Sequence, residues 1–113
     1  MVPNPMPTAM AEVIAERFRL LADPTRVRIL DALRDEELTV GALHDRIGTS
    51  QQNVSKHLGL LHRAGIVARE KDGVQVRYRI ADGTVYALCE EVCGGIHRRL
   101  DELRSLMDEG VTR

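Results

Sequence analysis

Residues 50–65, S-Q-Q-N-V-S-K-H-L-G-L-L-H-R-A-G, decide how the chain is read. Val54, Leu58 and Leu61 recur at helical spacing, which predicts a helix with one stripe turned to a core. Gln51, Gln52, Asn53, Ser55, Lys56 and His57 are expected off that stripe, around the first turns. These side chains are short to medium in length and between them donate and accept hydrogen bonds. That front suits the major groove of DNA, where base edges present mixed donors and acceptors. Thr49 or Ser50 is placed to cap the helix and Gly65 to end it.

Working outward, Thr39 is placed to cap a short helix carrying Val40, Leu43 and Ile47 and stopped by Gly48. Two helices joined by a short Gly-containing turn form a helix-turn-helix pattern. Upstream, Asp23-Pro24 signals a helix start, with Val27, Leu30 and Leu33 facing inward and Arg26, Arg28 and Arg34 on the solvated side. Thr8 is expected to cap a first helix through about Leu21, with Met10, Val13, Ile14, Phe18 and Leu21 as its apolar stripe. Downstream the period changes to two. Val74, Val76, Tyr78 and Ile80 alternate with Gln75, Arg77 and Arg79, a strand whose partner is expected at 66–69. Lys71-Asp72-Gly73 is the expected hairpin turn. A hairpin after a helix-turn-helix makes a winged helix, and Arg77 and Arg79 share one face of the wing, suited to phosphate or the minor groove.

A last helix is expected over 82–107. Val85, Leu88, Val92, Ile96, Leu100, Leu103 and Met107 repeat in steps of three and four, a longer stripe than a small core needs. Such a helix packs against a second copy. Gly94-Gly95 interrupts it, implying a kink or a close helix approach there. The expected fold is therefore mainly α with a small β-hairpin wing, a winged helix-turn-helix that is dimeric through its terminal helices. Residues 1–7, with three prolines, form a flexible arm, 8–107 the domain with its dimerisation helix, and 108–113 a tail.

Composition sets bounds. The 113 residues fit one domain, and 43% apolar content without Trp and with one Phe requires an aliphatic core. A formal net charge of −1 hides a local bias, since residues 50–80 hold six Lys/Arg against two acids. No apolar run approaches a membrane span and no signal-peptide core is present, so a cytoplasmic protein with no membrane partner is expected. Cys89 and Cys93 then read as thiols rather than a disulfide. No Gly-rich phosphate loop, H-E-x-x-H or nucleophile motif is present, which argues against an enzyme or an organic cofactor.

L-A-D-P-T-R-V-R-I-L (21–30), the block 50–67 and V-R-Y-R-I (76–80), in that order, resemble the ArsR/SmtB family of bacterial repressors. The resemblance implies a homodimer that binds a near-palindromic double-stranded operator and is released by an inducer, usually a metal or metalloid ion. It places Ser50, Gln51, Gln52, Asn53, Ser55, Lys56 and His57 where the recognition helix meets DNA, and Arg77 and Arg79 in the wing. Two family ion sites are missing. The helix before the recognition helix, T-V-G-A-L-H-D-R-I, lacks the C-x-C of the arsenite site, and its lone His44 reads as a surface residue. The zinc pattern that would begin at Asp82 falls on Thr84, Gly95 and Arg98, none of them ligands.

What remains is Cys89-x-x-x-Cys93 with His97 four residues on, expected on one helix face. Thiolates suit arsenite, cadmium or copper(I), and zinc accepts mixed Cys/His ligation. Three readings stay open for the thiols: an inducer-ion site within or between subunits, oxidation, and packing at the dimer contact. A regulator of the same fold controlled by oxidation or a protein partner is the alternative to ion sensing.

Overall fold

In the computed structural model, which describes residues 1–112 and the side chains of 1–109, the elements follow as α1 (Thr8–Leu21), α2 (Pro24–Leu33), β1 (Leu38–Thr39), α3 (Val40–Ile47), α4 (Gln51–Arg63), β2 (Val67–Asp72), β3 (Gln75–Ile80) and α5 (Thr84–Thr112). Local chemistry sets most boundaries. Asp23 accepts from the Thr25 and Arg26 amides at 2.8 and 3.1 Å, with Pro24 opening α2. Thr39 caps α3 through the Ala42 amide, and Gly48, at φ 83°, closes it. Of the two candidate caps on α4, Ser50 does the capping, its Oγ accepting from the Asn53 amide at 3.1 Å. Thr8 does not cap α1: Pro7 occupies that position without a side-chain hydrogen bond.

The wing is offset from its expected register. β2 pairs antiparallel with β3 from Val67↔Ile80 to Asp72↔Gln75, so the turn is Gly73-Val74 rather than 71–73. Gly73, at φ 64°, stands first in the two-residue loop, where a type II′ turn wants glycine, and this pushes Val74 into solvent. A third strand was not foreseen. β1 joins the free edge of β3 through Leu38↔Tyr78 and Thr39↔Arg77, giving the order β1-β3-β2. Two residues are too few for any periodicity to announce them.

The core forms where α2, α3 and α4 meet the base of the wing. Ile29, Leu30, Leu43, Val54, Leu58, Leu61 and Ile66 are fully buried, and Tyr78 is the one aromatic residue in the buried cluster. The inward face of α2 turns toward Ile29, leaving Val27 only half-buried.

The terminal helices are different. α1 buries no residue, and among the described side chains of α5 only Val85 is buried. α5 has 29 residues, about 43 Å of helix at 1.5 Å per residue, and runs unbroken past 107 to Thr112. Gly94-Gly95 does not interrupt it. A Cβ on either glycine would meet the Arg98 guanidinium, at 3.4 and 3.8 Å, and no neighbouring helix. The radius of gyration is 18.2 Å, against about 13 Å for a compact domain of this length. Much of the excess comes from α5, which reaches beyond the core and exposes Val92, Ile96, Leu100, Leu103 and Met107. No helix among the described residues is long and apolar enough to cross a membrane.

Candidate nucleic-acid interface and thiol groove

The front of α4 is assembled by its cap and by the turn before it. Gln51, Gln52, Ser55 and Lys56 are exposed. Ser50 is exposed too, but its Oγ serves as the cap. Asn53 is half-buried, with Nδ2 donating to Thr49 Oγ1 at 3.0 Å. His44, expected at the surface, is half-buried and donates from Nδ1 to the Thr49 carbonyl, bracing the turn between α3 and α4. On the wing, Arg77 and Arg79 are both exposed, and Arg79 lies 3.8 Å from Glu70, the residue opposite Arg77. An exposed pair of this kind is worth little, so exchanging it for phosphate costs little.

His57 requires a correction. It is 6% exposed and cannot present its ring to a groove. Its Nδ1 lies 3.1 Å from an Arg26 guanidinium nitrogen, and its Nε2 lies 3.8 Å from Asp23 Oδ1. Arginine only donates, so Nδ1 accepts and the ring hydrogen sits on Nε2, toward the carboxylate. Burial works against ionisation of Asp23, but the Arg26 and Thr25 amides, the neighbouring His57 ring and the Arg26 guanidinium outweigh it, holding this carboxyl below its ordinary range. Arg26 was expected in solvent; instead its Nε donates to the Leu20 carbonyl at 2.8 Å. The signal for His57 was present in the spacing. Position 57 is three residues after Val54 and four before Leu61, so it belongs to the inward stripe.

Cys89 is half-buried and Cys93 exposed, and both are free thiols. Together they line an apolar groove of about 390 Å³ with Phe18 and Leu21 of α1, Val27 of α2, and Val92 and Ile96 of α5. They also border a second hollow, which contains Asp31, Arg34 and Tyr86. Burial pushes the Cys89 thiol up, and the Asp31 carboxylate adds to this. His97 is exposed and is not part of the groove lining. Each four-residue step advances roughly 40° around a helix, so two steps carry His97 roughly 80° from Cys89. The described residues contain no group of three or more His, Cys, Asp or Glu side chains able to hold an ion within one chain. Asp82 is engaged elsewhere: its Oδ1 accepts from the Thr84 hydroxyl and amide at 2.6 and 3.0 Å at the start of α5.

Residues 21–70 match the family model described as a helix-turn-helix domain. The HTH-type transcriptional regulator KmtR of Mycobacterium tuberculosis is 37% identical over 121 residues, covering 98% of this chain and 93% of that protein. The regulator CmtR of Mycobacterium bovis is 46% identical over 69 residues, 61% of this chain and 58% of that one. Among solved structures, the AntR antimony-specific transcriptional repressor superposes with a TM-score of 0.76 at 31% identity, covering 84% of this chain and 86% of that chain. A homodimeric winged helix-turn-helix DNA-binding domain from Mycobacterium bovis, described as a possible ArsR-family regulator, gives 0.72 at 29% identity, covering 83% and 87%.

Proposed function

The chain belongs to the ArsR/SmtB family of helix-turn-helix transcriptional regulators, and from that premise we propose that it is a cytoplasmic repressor that binds a near-palindromic operator as a homodimer. Gln51, Gln52, Ser55 and Lys56 read the major groove, Asn53 and Ser50 hold the start of the reading helix, and Arg77 and Arg79 take phosphate or the minor groove. The apolar faces of α1 and α5 are covered by the second copy.

We further propose that a soft metal or metalloid ion at Cys89 and Cys93 releases the operator. The observation that carries this is the shared position of the two thiols, on one groove bounded by both terminal helices. An ion there sits against the surfaces that set the dimer, remote in sequence from the reading side chains. Two sulfurs per chain leave the coordination incomplete, so the partner's thiols, or His97 across the dimer, supply the remainder. The AntR neighbour, an antimony-specific repressor, supports an inducer of this chemical class.

The test is operator release measured by mobility shift with arsenite, cadmium, zinc, copper(I) and peroxide. It is run on the wild type and on Cys89→Ser and Cys93→Ser. Release by an ion that either substitution abolishes is the expected result. Release by peroxide alone would move control to thiol oxidation, and a response untouched by both substitutions would leave the thiols as packing residues.

A further inference from the structure

α1 buries no residue, yet two arginines bind it to the reading helix. Arg17, on α1, donates to the Ala64 carbonyl at the C-terminal cap of α4, at 3.2 Å. Arg26, on α2, spans the remaining distance. Its Nε and one terminal nitrogen donate to the Leu20 and Arg19 carbonyls at 2.8 and 3.2 Å, and its other terminal nitrogen donates to His57 at 3.1 Å. The two carbonyls are among the last of α1, and that of Arg19 also accepts from the Ala22 amide at the C-cap, at 3.1 Å. One planar guanidinium therefore joins the end of α1 to the middle of α4, a geometry that a flexible ammonium does not reproduce. Asp23 completes the arrangement by facing the far side of the His57 ring.

We propose that Arg17, Arg26 and His57 are positioning residues for operator binding, a latch that fixes the reading helix relative to α1. This rests on the dimeric repressor reading above. α1 exposes Met10, Val13 and Phe18, the face a second copy would cover, so the latch carries the setting of the dimer to both reading helices. Half-sites one turn apart place each reading helix about 17 Å from the dyad, where each degree of slack moves it by roughly 0.3 Å. Slack on that scale misaligns hydrogen bonds to base edges while leaving general attraction to phosphate intact.

The experiment compares affinity for the operator with affinity for a scrambled duplex of the same length. Variants are Arg17→Met, Arg26→Met, His57→Leu, His57→Asn and the double Arg26→Met/His57→Leu, with dimer mass and thermal midpoint recorded for each. Arg26→Met and His57→Leu should weaken operator binding tenfold or more, with scrambled-duplex affinity held within twofold. His57→Asn should recover most of the loss, because its Oδ1 can accept where Nδ1 did. The double variant should be no weaker than Arg26→Met alone. Arg17 lies outside the core, so Arg17→Met, expected at threefold or more, keeps the question open to measurement if Arg26 variants fail to fold.

Equal losses on both duplexes would make the arginines phosphate contacts and overturn the latch. So would His57→Asn behaving like His57→Leu, or a folded dimer with unaltered operator affinity. A wild type that prefers no palindromic fragment sinks the repressor reading as well, and that is seen before any variant is compared.

Discussion

The reading half and the terminal half of this chain are built on opposite principles. α2, α3, α4 and the base of the wing bury nearly all of the hydrophobic cluster, so this part satisfies its own apolar surface. α1 and most of α5 carry an equally regular apolar stripe and leave it exposed. A regular stripe therefore says that a surface will be covered, but not by what. In the reading half the cover is the same chain; in the terminal half, on the proposed dimer, it is a second one.

Substitutions on the apolar stripes of the two halves would break or sharpen that contrast. The largest stability effect is expected in the reading half. Leu58→Ala, at a fully buried position, should cost about 2–5 kcal/mol in chemical denaturation, whatever the protein concentration. Replacing Ile96 and Leu103 by Asp should leave the fold of a single chain intact but halve the mass in sedimentation and lower operator affinity, on the order of a hundredfold. A loss of fold in that variant, or an undiminished dimer, would erase the distinction between the halves.

Smaller effects sharpen it within the reading helix. Ser50→Ala should cost roughly 1 kcal/mol of stability through the lost cap, with base preference at the operator kept. A changed base preference instead would return Ser50 to the groove. Asp23 gives a pH test with a definite sign. Its folded pKa lies below the ordinary value of 3.8, so its charge stabilises the fold above that value, and the contribution is lost as pH falls through the depressed one. The acid-unfolding curve of Asp23→Asn should therefore differ from wild type in height near neutral pH and converge with it below that range. The smallest signal is on the thiols. Exposed Cys93 should react with iodoacetamide several times faster than half-buried Cys89, whose raised pKa keeps it protonated to higher pH. Equal rates would remove the asymmetry between the two thiols of the groove.

Most of the fold was legible in the residues because its signals are local. Asp23-Pro24, Thr39, Gly48, Ser50 and Gly65 mark helix ends through hydrogen bonds and φ values that involve only near neighbours. The two-residue strand β1 was not legible, since pairing with β3 is its only signature. The extent of α5 past 107 and its continuity through Gly94-Gly95 escaped for a related reason: glycine weakens a helix without forbidding it.

The site divided in the same way. Sequence alone determined the helix-turn-helix, the wing, the aliphatic core and the exposed front at Gln51, Gln52, Ser55 and Lys56, because periodicity and capping are properties of short stretches. Only the tertiary structure decided that Arg26 and Asp23 are the partners that meet the inward-facing His57, and that Cys89 and Cys93 share a groove from which His97 is absent. Those outcomes depend on which side chains arrive from α1 and α2, dozens of residues away, and no pattern within a single helix carries that information.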